Sequence, residues 1–221
     1  MTATSIEGKI RQILDILQRE YGVQPEQPRH DPVSVLMQTI LSQNTSDTNS
    51  GVAFRSLLAS FNNWEEVADA NTATIAESIR YGGLWRIKAQ RIKQVLGEIL
   101  QKRGRLELDF LSQLTSSEAE DWLHQLTGVG LKTARCVLLF SLGVPALPVD
   151  THILRVSQRL GLVSPKASAD DAHKTLGKVV PPEDVYQFHV LMIEHGRKTC
   201  RARYSNCQSC ILKNLCVSVM K

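Results

Sequence analysis

Four cysteines stand near the C-terminal end of this 221-residue chain in the order Cys-x6-Cys-x2-Cys-x5-Cys. Such short connections can wrap four thiolates around a compact cluster of iron and sulfide more readily than around one zinc ion. Zinc sites more often use two Cys-x2-Cys pairs joined by a longer arm, and only one such pair is present. The pattern therefore favours an iron–sulfur cluster, and the predicted metal ligands are Cys200, Cys207, Cys210 and Cys216.

Other interpretations of these thiols are weaker. Two disulfides or four unrelated buried thiols fit less well, because the rest of the chain holds a single cysteine, Cys136, most simply a thiol of the core. Thiolates and iron–sulfur clusters persist in reducing surroundings. We therefore expect a cytoplasmic protein that is not secreted, associated with the nucleoid if its source is bacterial.

The N-terminal segment agrees with that compartment. Residues 1–20 interleave charges with apolar residues, which predicts an amphipathic helix and not the apolar core of a signal peptide. No apolar run is long enough to span a bilayer, so no membrane partner is expected. No stripe suited to self-association is obvious, and we expect a monomer.

The charge of the chain is unevenly distributed although its net value is only +4. Residues 80–105 hold eight basic residues against one acid, and residues 197–221 hold six basic residues and no acid. Two basic blocks of this kind suggest a polyanionic partner that is bound through its phosphates. A solvated helix face would explain the same pattern, and charge alone does not decide between them.

Apolar residues recur at helical spacing along most of the chain, and glycine and proline separate the segments. No run of alternating β-branched residues predicts a sheet. We therefore expect an all-α fold with short loops. The predicted helical segments are residues 33–41, 52–61, 75–79, 87–100, 119–126, 133–142 and 151–160.

A glycine hairpin separates two of these segments. Gly128, Val129 and Gly130 permit a tight turn that exposes successive backbone N–H groups. At the start of the following helix, such groups form a site for a DNA phosphate and read no base sequence. This is a helix-hairpin-helix signature, although Gly-x-Gly alone also occurs in ordinary helix–helix turns.

A lysine and an aspartate follow the hairpin. Lys132 lies near a helix N-terminus, where the helix dipole disfavours the ammonium and favours a nucleophilic amine. Asp150 begins the next helix as an apt N-cap, which also keeps its carboxylate ionised. The plainer roles are a surface or phosphate-binding lysine and an N-cap with no further function.

Three motifs together resemble the endonuclease III family of the helix-hairpin-helix DNA glycosylase superfamily, and they stand in the family's order. They are the hairpin with Lys132, the segment 149–152 and the loop of residues 200–216 that carries the four cysteines, called the cysteine loop below. The resemblance implies a six-helix barrel over residues 25–143. It also implies an iron–sulfur helical domain formed by residues 1–24 and 144–221, with a [4Fe-4S] cluster as cofactor. Segments 41–47 and 83–89 are similar to the two that enter the DNA in this family.

The resemblance implies an enzyme of base excision repair that acts on double-stranded DNA with damaged bases or abasic sites. Lys132 would attack C1′, expel an oxidised pyrimidine such as thymine glycol, and cut the strand by β-elimination through a Schiff base. Asp150 would stabilise the positive charge that develops on the sugar. The implied pocket residues are Ser42, His152 and His124, and the implied DNA contacts are Gly128, Val129, Gly130, Leu84, Gln43, Asn44, Arg201 and Arg203.

Two positions depart from the family's pattern. The glutamine that fills the stack opposite the lesion falls on Asn44 in an ungapped comparison, with Gln43 just before it, so either residue could fill the gap. His124 stands where well-known members carry a glutamate, which leaves the lesion spectrum open.

Three alternatives remain. The first two are monofunctional relatives, an adenine glycosylase acting opposite oxidised guanine and a mismatch-thymine glycosylase, and Lys132 argues against both. The third is a non-catalytic DNA-binding module stapled by a metal, which the presence of both Lys132 and Asp150 disfavours.

Overall fold

The computed structural model describes residues 5–25 and 29–219, and every regular element in those ranges is a helix. The all-α prediction is confirmed. The first four residues of the predicted N-terminal helix and Lys221 of the basic tail lie outside the described residues. Within these ranges, none of the helices combines the length and apolar character needed to cross a membrane.

The α-helices follow one another with short connections. They are α1 (Ile6–Tyr21), α2 (Pro32–Ser42), α3 (Asp47–Ser60), α4 (Trp64–Asp69), α5 (Thr72–Ser78), α6 (Trp85–Arg103), α7 (Ser116–His124), α8 (Leu131–Val137), α9 (Thr151–Leu160), α10 (Ala169–Val179) and α11 (Val185–Lys198). A π-helical turn, Leu138–Leu142, continues α8. By their contacts the residues form two compact units, one of Arg29–Val144 and the other of Met1–Pro28 with Pro145–Lys221.

The Arg29–Val144 unit is built around α2. Asp31 caps this helix by accepting a hydrogen bond from the Ser34 backbone N–H at 2.8 Å, and Pro32 supplies the fixed backbone angle that suits a first helical position. Most of α2 is buried, and it packs against α3, α6 and α8. A buried helix of this kind holds the start of α6 and the start of α8 around one core.

The second unit joins the N-terminal helix to the C-terminal half of the chain. Its helix α1 buries one apolar face, as the sequence predicted, and packs against α11. The Lys9 ammonium donates to the Leu160 carbonyl at the end of α9, and the Tyr186 hydroxyl donates to the Pro25 carbonyl at 2.8 Å. Helix α9 packs on the same α11 and begins at the residue that the sequence predicted.

Several helices differ from the sequence prediction, among them α4, which was not among the predicted segments. Helix α3 begins at Asp47, five residues before the predicted segment, because the Ser46 hydroxyl caps it by accepting from Asn49 N at 3.3 Å. Helices α10 and α11 were not among the predicted segments. In α11 the buried stripe includes His189 and His195, so its apolar periodicity is hidden by polar residues.

Candidate functional site

The glycine hairpin leads directly into α8. Gly128 has a φ of +75°, and the Val129 N–H donates to the Leu126 carbonyl at 3.0 Å. Gly130 is the N-cap of α8. Val129 is only 2% exposed, so its side chain is not available to a ligand.

Helix α6 supports the hairpin from one side. The Arg91 guanidinium donates from Nη1 to the Gly128 carbonyl at 3.2 Å. A Cβ atom at Gly128 would lie 1.7 Å from that same Nη1 atom. The positive φ favours glycine at this position, and the Arg91 guanidinium would have to move to admit a Cβ atom.

Lys132 is the second residue of α8 and is partly exposed. In residues 5–25 and 29–219, no hydrogen bond or ion pair involves its side chain. The next residue, Thr133, is buried, and its hydroxyl lies 3.5 Å from the donating Gln43 Nε2. The structure thus places Gln43 beside the helix that carries the proposed nucleophile.

The two implied pocket residues of this unit are held by local contacts. The Ser42 hydroxyl donates to the Thr39 carbonyl at 2.8 Å, within α2. His124 Nδ1 lies 2.9 Å from the Val129 carbonyl, so this ring spans the hairpin. His124 is exposed and remains accessible to a ligand.

The two segments implied to enter DNA lie side by side. Asn44 has a φ of +52° and Leu84 a φ of +54°, and both are exposed, with Leu84 at 52%. Leu84 is therefore not a core leucine. Both residues line one cavity of about 140 Å³, whose other lining residues are Ile40, Gln43, Ile87, Lys88 and Arg91.

Two residues beside this cavity were missed as site residues. Ile87 is 57% exposed on the first turn of α6, next to Leu84, although its apolar character predicted a core position. Lys88 is buried, although it was counted with the basic block. Lys93 and Arg91 of the same block donate to backbone carbonyls, so fewer of these charges are available to phosphates than the sequence suggested.

Asp150 caps α9, as predicted. Its Oδ1 atom accepts a hydrogen bond from the Ile153 backbone N–H at 2.8 Å, and the carboxylate is partly exposed. Two residues further on, His152 Nδ1 lies 3.1 Å from Arg155 Nη2. A carboxylate held by one backbone N–H keeps lone pairs for a second, external partner.

Arg155 and Arg159 were not predicted from the sequence, and both link α9 to the cysteine loop. Arg155 donates from Nε to the Cys200 carbonyl at 3.0 Å and from Nη2 to the Gly196 carbonyl at 2.9 Å. Arg159 Nη1 donates to the Cys200 thiol sulfur at 3.3 Å and to the Arg201 carbonyl at 2.7 Å. Burial lowers the pKa of Arg155, although a guanidinium stays charged in proteins.

The four predicted ligands line one cavity of about 230 Å³ in the C-terminal loop. Among the described residues no disulfide joins any of them, which removes the disulfide interpretation. In the same part of the chain, no set of three or more His, Cys, Asp or Glu side chains is gathered as the ligands of one metal ion. A cubane cluster needs another arrangement, since it takes four thiolates at separate irons, and four thiols around one cavity fit that donor set.

The surroundings of the thiols are partly apolar. Burial raises the pKa of the Cys210 thiol, whose sulfur lies 3.7 Å from His195 Nε2. Burial likewise lowers the pKa of His195 to about 4, and its Nδ1 lies 3.1 Å from the Tyr21 hydroxyl. A cationic centre at this cavity would favour thiolates over the thiols that burial alone favours.

The implied DNA contacts of the loop stand on its outer side. Arg201 and Arg203 are exposed. The next residue, Tyr204, is 96% exposed and has a φ of +58°. Arg159 supports the loop from the protein side by also donating to the Ser205 hydroxyl at 2.7 Å. The structure therefore fixes the backbone of this loop and leaves its two arginine side chains accessible.

Known proteins share this sequence and geometry. Residues 37–182 match the profile described as "HhH-GPD superfamily base excision DNA repair protein". Over 186 residues the chain is 34% identical to endonuclease III of Thermotoga maritima, covering 84% of this chain and 83% of that one. It is 38% identical over 178 residues to an Arabidopsis thaliana protein provisionally named a DNA glycosylase, covering 80% of this chain and 59% of that protein.

A solved structure shows the same similarity in three dimensions. It is a trapped covalent intermediate of endonuclease III with DNA, described as an estranged-adenine complex. It matches with a TM-score of 0.82 at 30% identity, and the match covers 97% of each chain. The resemblance predicted from the sequence motifs is confirmed.

Proposed function

Because the chain belongs to the HhH-GPD superfamily of base excision DNA repair proteins and is a DNA glycosylase, we propose that it excises oxidised pyrimidines such as thymine glycol and then cleaves the abasic strand. The observation that carries the lyase step is Lys132. Its amine is partly exposed at the start of α8, directly after the hairpin. The similarity to an endonuclease III trapped covalently on DNA supports the same step.

The proposed chemistry begins at the sugar. The Lys132 amine forms a bond to C1′ while the bond from C1′ to the base breaks, and the base leaves with a proton. Opening of the sugar ring then gives a Schiff base between Lys132 and C1′. Loss of a proton from C2′ expels the 3′ phosphate, which cuts the strand.

Asp150 assists this proposed step through its charge. The developing positive charge on the sugar is stabilised by a carboxylate that need not reorganise during the reaction. The hydrogen bond from Ile153 N holds Asp150 in one orientation, which supports that role. Its neighbour His152, positioned by Arg155, is proposed as a pocket residue of the same unit, and Ser42 and His124 are proposed as pocket residues of the Arg29–Val144 unit.

Contacts with double-stranded DNA are proposed at three places. The first is the hairpin of Gly128, Val129 and Gly130, where the N–H groups of the two glycines are offered to a phosphate and that of Val129 donates within the turn. Leu84 fills the gap left by the extruded nucleotide, with Gln43 or Asn44 entering on the opposite side. Arg201 and Arg203 bind phosphates from the outer side of the cysteine loop, where both are exposed.

The cofactor proposed is a [4Fe-4S] cluster held by Cys200, Cys207, Cys210 and Cys216, the thiols that line the cavity of about 230 Å³. When bound, the cluster supplies folding free energy to the C-terminal loop. In this proposal the unit of Met1–Pro28 and Pro145–Lys221 is the cluster domain, and the Arg29–Val144 unit carries the hairpin and the nucleophile. Iron and sulfide analysis of the purified protein separates a cluster from zinc.

Borohydride trapping tests the proposed activity. The substrate is a duplex with one thymine glycol, and the proteins are the unaltered chain, Lys132→Ala and the control Lys102→Ala. The control removes an exposed lysine that donates to Gln125 Oε1 at 3.3 Å. We expect a covalent product with the unaltered chain and the control, and none with Lys132→Ala.

Other outcomes correct particular parts of the proposal. A product that persists in Lys132→Ala would assign the nucleophile to another residue. Base release without trapping by any variant would make the enzyme a monofunctional glycosylase. Trapping on other lesions, but not on thymine glycol, would keep Lys132 and change the substrate.

A further inference from the structure

Lys88 is a buried cation at the start of α6. Its side chain is 4% exposed, and its ammonium donates three hydrogen bonds. The acceptors are the Leu41 carbonyl at 2.6 Å, the Thr45 hydroxyl at 2.7 Å and the Gly82 carbonyl at 2.8 Å. Among the described residues no carboxylate forms an ion pair with it.

Burying an ammonium without a carboxylate partner costs free energy. Removing the charge from water has a large cost that neutral acceptors offset only in part, and burial accordingly lowers the pKa of Lys88. An apolar side chain would pack here without that cost. The identity of its three acceptors therefore indicates what the ammonium achieves.

Two of the acceptors lie in one of the segments proposed to enter the duplex, residues 41–47, and the third lies directly before the other, residues 83–89. Leu41 and Thr45 flank Gln43 and Asn44 at the end of α2, and Gly82 precedes Leu84 by two residues. The Thr45 hydroxyl also lies within hydrogen-bond distance of the Gly82 carbonyl, at 3.2 Å. One ammonium thus joins both segments at their bases.

Two residues close to these acceptors in the sequence have an unfavourable backbone conformation. Asn44 and Leu84 are two of the three non-glycine residues with positive φ among the described residues. Such conformations persist only where the surrounding contacts impose them. The two segments are also packed closely together, because a Cβ atom at Gly83 would lie only 2.9 Å from the Thr45 hydroxyl.

We propose that Lys88 is a positioning residue that fixes the separation of the two segments, so that Asn44 or Gln43 and Leu84 enter the duplex together. The inference rests on the proposed entry of these segments into DNA, but it does not depend on the lesion or on the lyase step. Extruding a nucleotide leaves a gap on both strands, and filling it with preorganised side chains avoids ordering two loops at that moment. Without the ammonium, each segment moves independently.

The substitution Lys88→Met removes the donor and keeps an unbranched apolar stem. Lys93→Met is the matched control, because Lys93 lies on the same helix and also donates to two carbonyls, those of Ala68 at 2.8 Å and Ala70 at 2.5 Å. Those acceptors lie at the C-terminal end of α4 and not in the entering segments. Both variants are assayed well below their measured melting temperatures.

Single-turnover rates are compared on a duplex with a paired thymine glycol and on a duplex with a preformed abasic site, where no base pair has to be broken. Misplaced groups commonly cost one to two orders of magnitude in rate. We expect Lys88→Met to slow excision of the paired lesion by roughly tenfold to hundredfold, and cleavage at the abasic site by less than about threefold. Lys93→Met should change both rates by the same factor.

A second measurement works without any chemistry. A 2-aminopurine placed opposite a tetrahydrofuran analogue of an abasic site, which has no C1′ aldehyde and cannot form a Schiff base, reports unstacking when a side chain enters the gap. We expect its fluorescence to rise with the unaltered chain and with Lys93→Met, but not with Lys88→Met at saturating protein. This result stands even if thymine glycol proves not to be a substrate, which separates the inference from the proposed lesion.

Two results would overturn the inference. Equal losses on both substrates would give Lys88 a role in stability alone. A normal fluorescence rise with Lys88→Met would show that the segments enter the duplex without it. Thr45→Val provides a further check, since removing the shared acceptor should reproduce part of the Lys88→Met effect, and the double variant should be no slower than Lys88→Met.

Discussion

Lys132 and Asp150 are held very differently by their surroundings. Asp150 accepts a hydrogen bond from Ile153 N and so serves the start of α9, whereas no side-chain hydrogen bond or ion pair within the described residues holds Lys132. A substitution of Lys132 therefore removes an amine and little else. A substitution of Asp150 removes a charge and a helix cap, and these two effects must be separated.

Asp150→Asn separates charge from capping. Asparagine caps helices about as well as aspartate, so the free energy of unfolding should change by less than about 1 kcal/mol. Excision should slow sharply because the stabilising charge is lost. Urea unfolding and single-turnover excision measure the two effects.

Ser168→Ala is the matched control for this substitution. Ser168 caps α10 within the same unit by accepting from Asp171 N at 3.1 Å, and its hydroxyl donates to the Asp171 carboxylate at 2.7 Å. Its loss should cost about 1 kcal/mol of stability and leave excision unchanged. An Asp150→Asn variant that excises normally would leave Asp150 with its capping role alone.

At the scale of elements, Arg91 of α6 contacts the hairpin at Gly128. Gly128→Ala should destabilise the fold by about 1–3 kcal/mol, because alanine is strained at a positive φ and the Arg91 guanidinium would have to move away from the Gly128 carbonyl. Gly97→Ala on the exposed side of α6 meets nothing within 4 Å and should stabilise the fold by roughly 0.5–1 kcal/mol. Thermal unfolding of the two variants checks the prediction, and equal effects would contradict it.

Gly130→Ala tests the DNA contact of the hairpin without disturbing the fold. Its φ is not positive, and an added Cβ meets nothing within 4 Å. We expect near-normal stability and weaker duplex binding, because the methyl group would stand between the backbone N–H groups and a phosphate. A binding titration decides this, and unaltered affinity would place the phosphate elsewhere.

The cysteine loop makes a separate prediction about salt. Arg201→Ala and Arg203→Ala should each reduce the slope of log K against log salt concentration by about 0.9, the value for one phosphate contact. Lys166→Ala removes an exposed cation from another part of the same unit and serves as the control. Slopes that stay constant for both arginine variants would mean that this side of the loop faces away from DNA.

For the whole molecule, we expect the stability of the unit of Met1–Pro28 and Pro145–Lys221 to depend on the proposed cluster in the cavity between the thiols. Cys210→Ser should lower the iron content and the melting temperature together. A loss of about 3 kcal/mol corresponds to roughly 6–12 °C in a chain of this size. Cys136→Ala, in the Arg29–Val144 unit, should keep its iron. Iron analysis and calorimetry check both variants, and full iron content in Cys210→Ser would exclude this thiol as a ligand.

The sequence predicted features that arise from neighbouring residues. Helical periodicity, the capping role of Asp150, the hairpin and the spacing of the four cysteines all depend on residues within a few positions of one another. Such local preferences are encoded in the chain itself, so the all-α class and these elements followed without a structure.

Tertiary structure decided where distant segments meet. Lys88 lies in phase with the apolar stripe of α6, which also contains Ile92 and Val95. Its sequence neighbours could not show that acceptors on Leu41, Thr45 and Gly82 would surround it. Arg159 reaches the cysteine loop across more than forty residues for the same reason. Periodicity specifies which face of a helix is buried, whereas the partners of a buried charge depend on how the whole chain packs.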